Sequence, residues 1–223
     1  PAATELETHM LDWLLDLCGL PDCFRSDGKG GGVIQDTASS SSLVALLTAR
    51  EKASKGKTNE YGVNEEFIAY TSSQAHSSIE KAVKIAGIGK NNMRMVNVDE
   101  NFAMDFSHLR QLIEKDIKNG LKPIFVCATV GTTSSTALDP VNEIGKICKE
   151  FDIWLHVDAA MAGPAALCEE YRFIHDGIDY ADSYNFNPHK WMLTSFDCSV
   201  FYVADRSQLI NTMSILPEYL KNK

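Results

Sequence analysis

Apolar residues along the chain recur at two alternating periods. The segment "TELETHMLDWLLDLCGLP" repeats at helical spacing: Thr4 and Glu7 are spaced as a capping box, and Leu6, Met10, Trp13, Leu14 and Leu17 share one face. Gly19 and Pro21 then end the helix. A glycine-rich loop, "SDGKGGG", leads into a short strand, "GVIQD". "TASSSSLVALLTAR" reads as a helix whose apolar face includes Leu43, Leu46 and Leu47. From there strands and helices alternate. "EFIAYTS", "MRMVNVD", "PIFVCATV", "IWLHVDAA", "DSYNFNP" and "CSVFYVAD" read as strands. "AHSSIEKAVKIAGI", with Ile79, Ala82, Val83 and Ala86 aligned, "DFSHLRQLIEKDIKNG" and "VNEIGKICKEF" read as helices. The unbroken apolar run of "PIFVCATV" is that of a strand covered on both faces. The pattern predicts an α/β domain built on a mostly parallel seven-stranded sheet flanked by helices.

Composition narrows the function more than the fold. With 223 residues, 44% of them hydrophobic and 23% charged, the chain suits one ordinary globular domain with a continuous core. A net charge of −9 with no offsetting cluster of Lys or Arg argues against nucleic acid or an anionic membrane as partner. No apolar run reaches the length of a membrane span, and no signal-peptide pattern opens the chain. The cysteines at 18, 23, 127, 148, 168 and 198 form no Cys-x-x-Cys pair, so they read as reduced, buried thiols of a cytoplasmic protein. The chain opens at Pro1 and stops at "PEYLKNK"; both ends look cut, as in a piece of a longer protein.

In open α/β sheets ligands collect at the C-terminal ends of strands, and the notable polar residues stand there: Thr37–Ser39, Ser72–His76, Thr129–Thr133, Asp158 and Asn187–Lys190. Lys190, in "ADSYNFNPHKWML", follows Pro188 and His189 in an aromatic run that predicts a largely buried position. Desolvation turns a lysine amine into a nucleophile for Schiff-base chemistry. A buried Asp158 needs a cationic or hydrogen-bonding partner, and the protonated ring nitrogen of a pyridoxal cofactor would be one. Ala160 is small enough to let a flat ring lie on the backbone. Thr37, Ala38 and Ser39 open a helix and offer free amides, hydroxyls and a dipole to a phosphate. His76, at the start of another helix, could stack on such a ring. A metal site at His156 and Asp158 is set aside, because three or four convergent ligands are needed and no HExxH or comparable set is present. Walker and dinucleotide fingerprints are absent, and so is GxSxG.

"TSSQAHSSIEKA", "HVDAAMAGPA" and "NFNPHKWML…FDCS", in this order and spacing, resemble the group II pyridoxal-phosphate-dependent amino-acid decarboxylases. The resemblance is to the aromatic-L-amino-acid branch, and "PAATELE" and "GGGVIQDTAS" extend it through essentially the whole chain. It implies the large domain of a fold type I pyridoxal-phosphate enzyme over residues 1–223, without the family's N-terminal segment and C-terminal small domain. It also implies that Lys190 holds the cofactor covalently, Asp158 pairs with the pyridine nitrogen, and Ala160 and His76 lie on opposite ring faces. Thr37, Ala38, Ser39, Asn187 and His189 would surround the phosphate, with Thr133 near the cofactor and the Asp158 network. Tyr219, in "LPEYLK", matches a loop tyrosine that delivers a proton to the substrate carbon. "DTASSSS", where many relatives have "GSASEA", departs from the pattern but leaves the helix N-terminus intact.

The implied activity is decarboxylation of tyrosine, DOPA, tryptophan or 5-hydroxytryptophan to the amine and CO2, by a homodimer. An aromatic aldehyde synthase of the same family is the enzymatic rival. In relatives that outcome goes with Phe at the loop tyrosine or Asn at the stacking histidine, so Tyr219 and His76 favour decarboxylation. Glutamate and histidine decarboxylases share parts of these motifs, and "NPHKW" followed by "FDCS" leans aromatic. The other rival is an inactive fragment that binds only partners or the cofactor.

Overall fold

The computed structural model describes residues 2–215. Seven strands form one sheet: β1 (Gly31–Gln35), β2 (Phe67–Ser72), β3 (Met93–Val96), β4 (Lys122–Thr129), β5 (Trp154–Asp158), β6 (Ser183–Phe186) and β7 (Ser199–Val203). Their order is β1-β7-β6-β5-β4-β2-β3. β7 runs antiparallel to both neighbours and the other pairs are parallel, so the sheet is mostly parallel, as the alternating pattern predicts. β2 and β5 are buried at every position, the burial expected of strands covered on both faces.

Helices cover the two faces. On one, Ala45, Leu46 and Ala49 of α2 (Ala38–Ser54) and Ile79, Ala82 and Val83 of α4 (Ser78–Ile85) pack with Phe125, Trp154 and Phe201. On the other, α1 (Ala2–Cys18), α5 (Phe106–Lys118) and α6 (Val141–Glu150) contribute Leu11, Leu15, Leu109, Ile113 and Ile144 to a core with Val126, Leu155, Tyr184 and Tyr202. Asp105 caps α5 by accepting from the amides of Ser107 and His108, satisfying two of the four donors a helix start leaves open. A short α3 (Lys57–Tyr61) and α7 (Arg206–Met213) complete the helices. Neither is foreshadowed by apolar periodicity, because α7 buries no residue fully and α3 buries only Thr58.

α1 departs from the sequence expectation. It begins at Ala2, so Thr4 lies inside it, and no capping box forms. Glu7 instead accepts from the Ile34 amide at 2.7 Å, occupying the outer side of edge strand β1. The buried stripe is Leu11, Leu15 and Cys18, while Leu6, Met10, Trp13 and Leu17 are exposed, Trp13 at 59%. Both flanks of the helix are apolar, so periodicity alone cannot choose which one meets the sheet. The cysteines also divide. Cys18, Cys127 and Cys148 are buried, Cys23 and Cys168 are exposed, and all six are free thiols. Among the described residues no helix is long and apolar enough to cross a membrane.

Candidate active site

Parallel pairing puts the C-terminal ends of β4, β5 and β6 in one row. Thr129 is in register with Asp158, and Asp158 with Asn185. The Asp158 carboxylate is almost fully buried; its Oδ1 accepts from the Ala160 amide at 3.0 Å and from Asn185 Nδ2 at 3.2 Å. It makes no ion pair among the described residues, so a buried anion is held in place without a countercharge. After Thr129 the chain turns sharply at Gly131, whose φ of +80° suits glycine and where a Cβ would run into Ala162.

α2 runs back from its start beside this row. Thr37 is its N-cap, with its hydroxyl accepting from the Ser40 amide, and Ala38 and Ser39 are its first residues. All three line a cavity of about 180 Å³ together with His76, Thr129, Gly131, Thr133, Asp158, Ala160, Asn187, His189 and Lys190. Every sequence-predicted site residue within the described part thus comes to one cavity, drawn from five strand ends. Tyr219 lies outside the described residues.

Two histidines at the cavity have their hydrogens fixed by backbone donors. His189 Nδ1 accepts from the Cys198 amide at 2.9 Å, so a neutral ring carries its hydrogen on Nε2; the ring also stacks on Phe196, centroids 4.3 Å apart. His76 is exposed, and its Nδ1 accepts from the Ser78 amide at 3.2 Å, again leaving the hydrogen on Nε2. Lys190 is half-buried rather than enclosed. The chain leaves β6, turns through a bond from the Lys190 amide to the Asn187 carbonyl, and then emerges, with Trp191 54% and Leu193 88% exposed. The apolar run that predicts burial therefore holds only as far as His189.

The donor set suits a flat, phosphorylated, cationic-ring ligand. Helix amides and hydroxyls, a carboxylate without an ion-pair partner and an amine all line the cavity. Thr129 Oγ1 and Asn187 Oδ1, both in the cavity wall, are buried without a hydrogen-bond partner among the described residues. Sequence reasoning missed the layer beneath. Ser41 and Ser42, which the sequence shows only as part of a run of serines after the Thr37–Ser39 anion site, are fully buried. Ser41 Oγ meets Ser199 Oγ at 3.3 Å, and Ser42 Oγ meets His156 Nε2 at 3.2 Å. Both ring nitrogens of His156 meet serine hydroxyls, and burial beside Phe125 and Phe201 drives its pKa down to about 4. Four consecutive serines at a helix start were the available signal, since hydroxyls that only cap a helix need not continue past its first turn.

An α/β sheet with a cavity at its strand ends and a lysine, a buried aspartate and a helix N-terminus facing it is the architecture of pyridoxal-phosphate decarboxylases of fold type I. Over its full length the structure resembles that of Oryza sativa TDC with PLP and tryptamine, with a TM-score of 0.94 and 41% identity, covering 46% of that chain. Residues 1–223 match the pyridoxal-dependent decarboxylase conserved domain, and the chain belongs to that family. It is 52% identical to tyrosine decarboxylase 2 of Narcissus pseudonarcissus and 49% identical to phenylacetaldehyde synthase of Arabidopsis thaliana. Both matches cover all of this chain and 45% and 46% of those relatives, so the chain spans about half their length.

Proposed function

We propose that this chain is the cofactor-binding large domain of a pyridoxal-phosphate-dependent decarboxylase acting on an aromatic L-amino acid. The observation that carries the reading is the meeting of Lys190, the unpaired Asp158 carboxylate and the start of α2 in one cavity. Pyridoxal phosphate, when bound, supplies an electron sink for the pair left behind when the Cα–carboxylate bond breaks. Lys190 would hold the cofactor's aldehyde through its amine and would be displaced there by the substrate amine. Asp158 keeps the ring nitrogen protonated; Ala160 N–H and Asn185 Nδ2 fix the carboxylate for this task. The free amides of α2, the hydroxyls of Thr37 and Ser39, the Asn187 amide and His189 Nε2–H hold the phosphate. Thr133 stands beside this network. Ala160 and His76 flank the ring, and the Nε2–H of His76 leaves it able to assist reprotonation at Cα. Loss of CO2 and gain of one proton at Cα balance as amino acid plus proton giving amine plus CO2.

Tyr219, outside the described residues, fits this scheme as the proton donor, and a homodimer is the assembly this reading expects. The free thiols agree with a reducing, cytoplasmic setting. The segments that relatives carry beyond this length would supply the small domain and the remaining pocket walls.

The test is direct. Borohydride reduction of the chain with pyridoxal phosphate, followed by peptide mapping, should place a pyridoxyl group on Lys190 and none on the Lys190→Ala variant; an adduct elsewhere, or none, overturns the site. With tyrosine, DOPA or tryptophan the full-length protein should yield amine and CO2. Stoichiometric aldehyde and hydrogen peroxide would instead assign it to the aldehyde synthases.

A further inference from the structure

We propose that His156 is a positioning residue that sets the span between the start of α2 and the Asp158 carboxylate, and with it the fit of the cofactor's phosphate. The inference rests on the pyridoxal-phosphate reading of the cavity. It begins with how α2 is attached. Its first turns carry Ser39 to Ser42 and no large apolar side chain on the buried face; the packing residues Ala45, Leu46 and Ala49 come later. Apolar packing therefore fixes the body of α2, and polar bonds fix its cavity end.

His156 is the centre of those bonds. It lies one pleat below Asp158 on the same face of β5, and its row, Cys127–His156–Ser183, is the row beneath Thr129–Asp158–Asn185. Trp154 Nε1 donates to Ser183 Oγ at 2.8 Å, and Ser183 Oγ lies 2.9 Å from His156 Nδ1. Ser183 Oγ accepts from the indole, and His156 bridges Ser183 and Ser42 through its two ring nitrogens, one donating and the other accepting in the neutral ring. The chain Trp154–Ser183–His156–Ser42 thus links β5 and β6 to α2, every member fully or nearly fully buried. A planar ring bonded at both nitrogens and stacked on Phe125 has one placement, and the half-turn of α2 that holds Ser42 must follow it. Ser42 lies four residues from Ala38, on the same helix face as that cavity residue. A change in the His156 side chain is transmitted through Ser42 to the phosphate-facing amides, while the β5 backbone that carries Asp158 stays paired in the sheet.

Pyridoxal lacks the phosphate, so the ratio of its dissociation constant to that of pyridoxal phosphate reports what the α2 end contributes. Both are measured by titrating the chain and following cofactor absorbance, with no substrate present. Ser42→Ala, a small change that leaves His156 in place, and His156→Asn, which keeps a group at Nδ1 and loses the reach to Ser42, should each lower the ratio about fivefold. His156→Gln, long enough to reach Ser42, should keep it within about twofold of the original. A merely structural histidine would lower the melting temperature of both His156 variants and leave the ratio unchanged in them and in Ser42→Ala; that result overturns the proposal. If the unaltered chain shows no preference for pyridoxal phosphate over pyridoxal, the reading of the cavity itself falls, and the proposal with it.

Discussion

α1 and α2 are both seventeen residues long and cover opposite faces of one sheet, yet they are attached by different chemistry. α1 is held by Leu11, Leu15 and Cys18 and leaves a second apolar stripe, Leu6, Met10, Trp13 and Leu17, in the open. α2 buries Ser41, Ser42 and Thr48 beside Ala45, Leu46 and Ala49, and its first residues form a cavity wall. An apolar stripe makes a helix adhere and tolerates small displacements, because the hydrophobic effect has no direction. Buried hydroxyls demand particular partners at particular distances. The helix whose position matters to chemistry is the one tied by hydroxyls.

The sharpest way to break this contrast lies on α1. Leu15→Ala should destabilise the chain by about 3 kcal/mol, as a fully buried leucine leaves a cavity, whereas Leu17→Ala two positions on should change stability by less than about 0.5 kcal/mol. Denaturant unfolding of the two variants measures both. Equal losses would mean that the Leu17 stripe is also covered, and α1 would then be attached on both flanks.

That pair of leucines also marks where sequence legibility stops. The strands could be read because four to eight apolar residues bounded by turn residues have few alternatives, and the cavity residues could be read because ligands gather at strand ends. The face of α1 could not, since Leu11 and Leu15 lie between apolar neighbours on both sides and only the position of the sheet chooses among them. Lys190 was misjudged because its neighbours up to His189 are buried, and the turn that carries Lys190 outward is made by backbone bonds. The role of Ser42 needed the register of β5 and β6, which places Ser183 beside His156; no spacing within the serine run contains that information.

Each helix also rests near one imidazole, the fully buried His156 under α2 and the half-buried His175 near the end of α1, and desolvation pushes both down to about 4. Above about pH 6.5 the ring is neutral folded or unfolded and contributes no pH dependence. As pH falls from there toward 4, the unfolded chain takes up a proton that the folded chain refuses, so stability falls, by about 2 kcal/mol per imidazole at pH 5. Asp139 acts oppositely: burial raises it to about 6, so it favours the folded state most below its ordinary 3.8 and loses that advantage as pH rises to 6. Two imidazoles outweigh it, and net stability should drop on acidification. His156→Gln cannot titrate, so the stability gap between it and the original chain should narrow by about 2 kcal/mol between pH 7 and pH 5, read from unfolding curves at the two values. A constant gap would place His156 in contact with water and remove the enclosed polar layer from α2.

The smallest effect tests the second tie of α2. Ser41 Oγ and Ser199 Oγ meet at 3.3 Å in a fully buried setting, and Ser41 also reaches the Thr37 carbonyl at 3.3 Å. Ser41→Ala takes this partner from the Ser199 hydroxyl and should cost about 1 kcal/mol, and Ser199→Ala, which leaves Ser41 its bond to the Thr37 carbonyl, should cost no more. Replacing both removes the stranded group as well, so Ser41→Ala with Ser199→Ala should cost about the same as one alone rather than twice as much. A double-mutant cycle by denaturant unfolding gives the coupling. Strict additivity would mean that the two hydroxyls do not meet, and that α2 is held against β7 by packing in the same way as α1 is held against the other face.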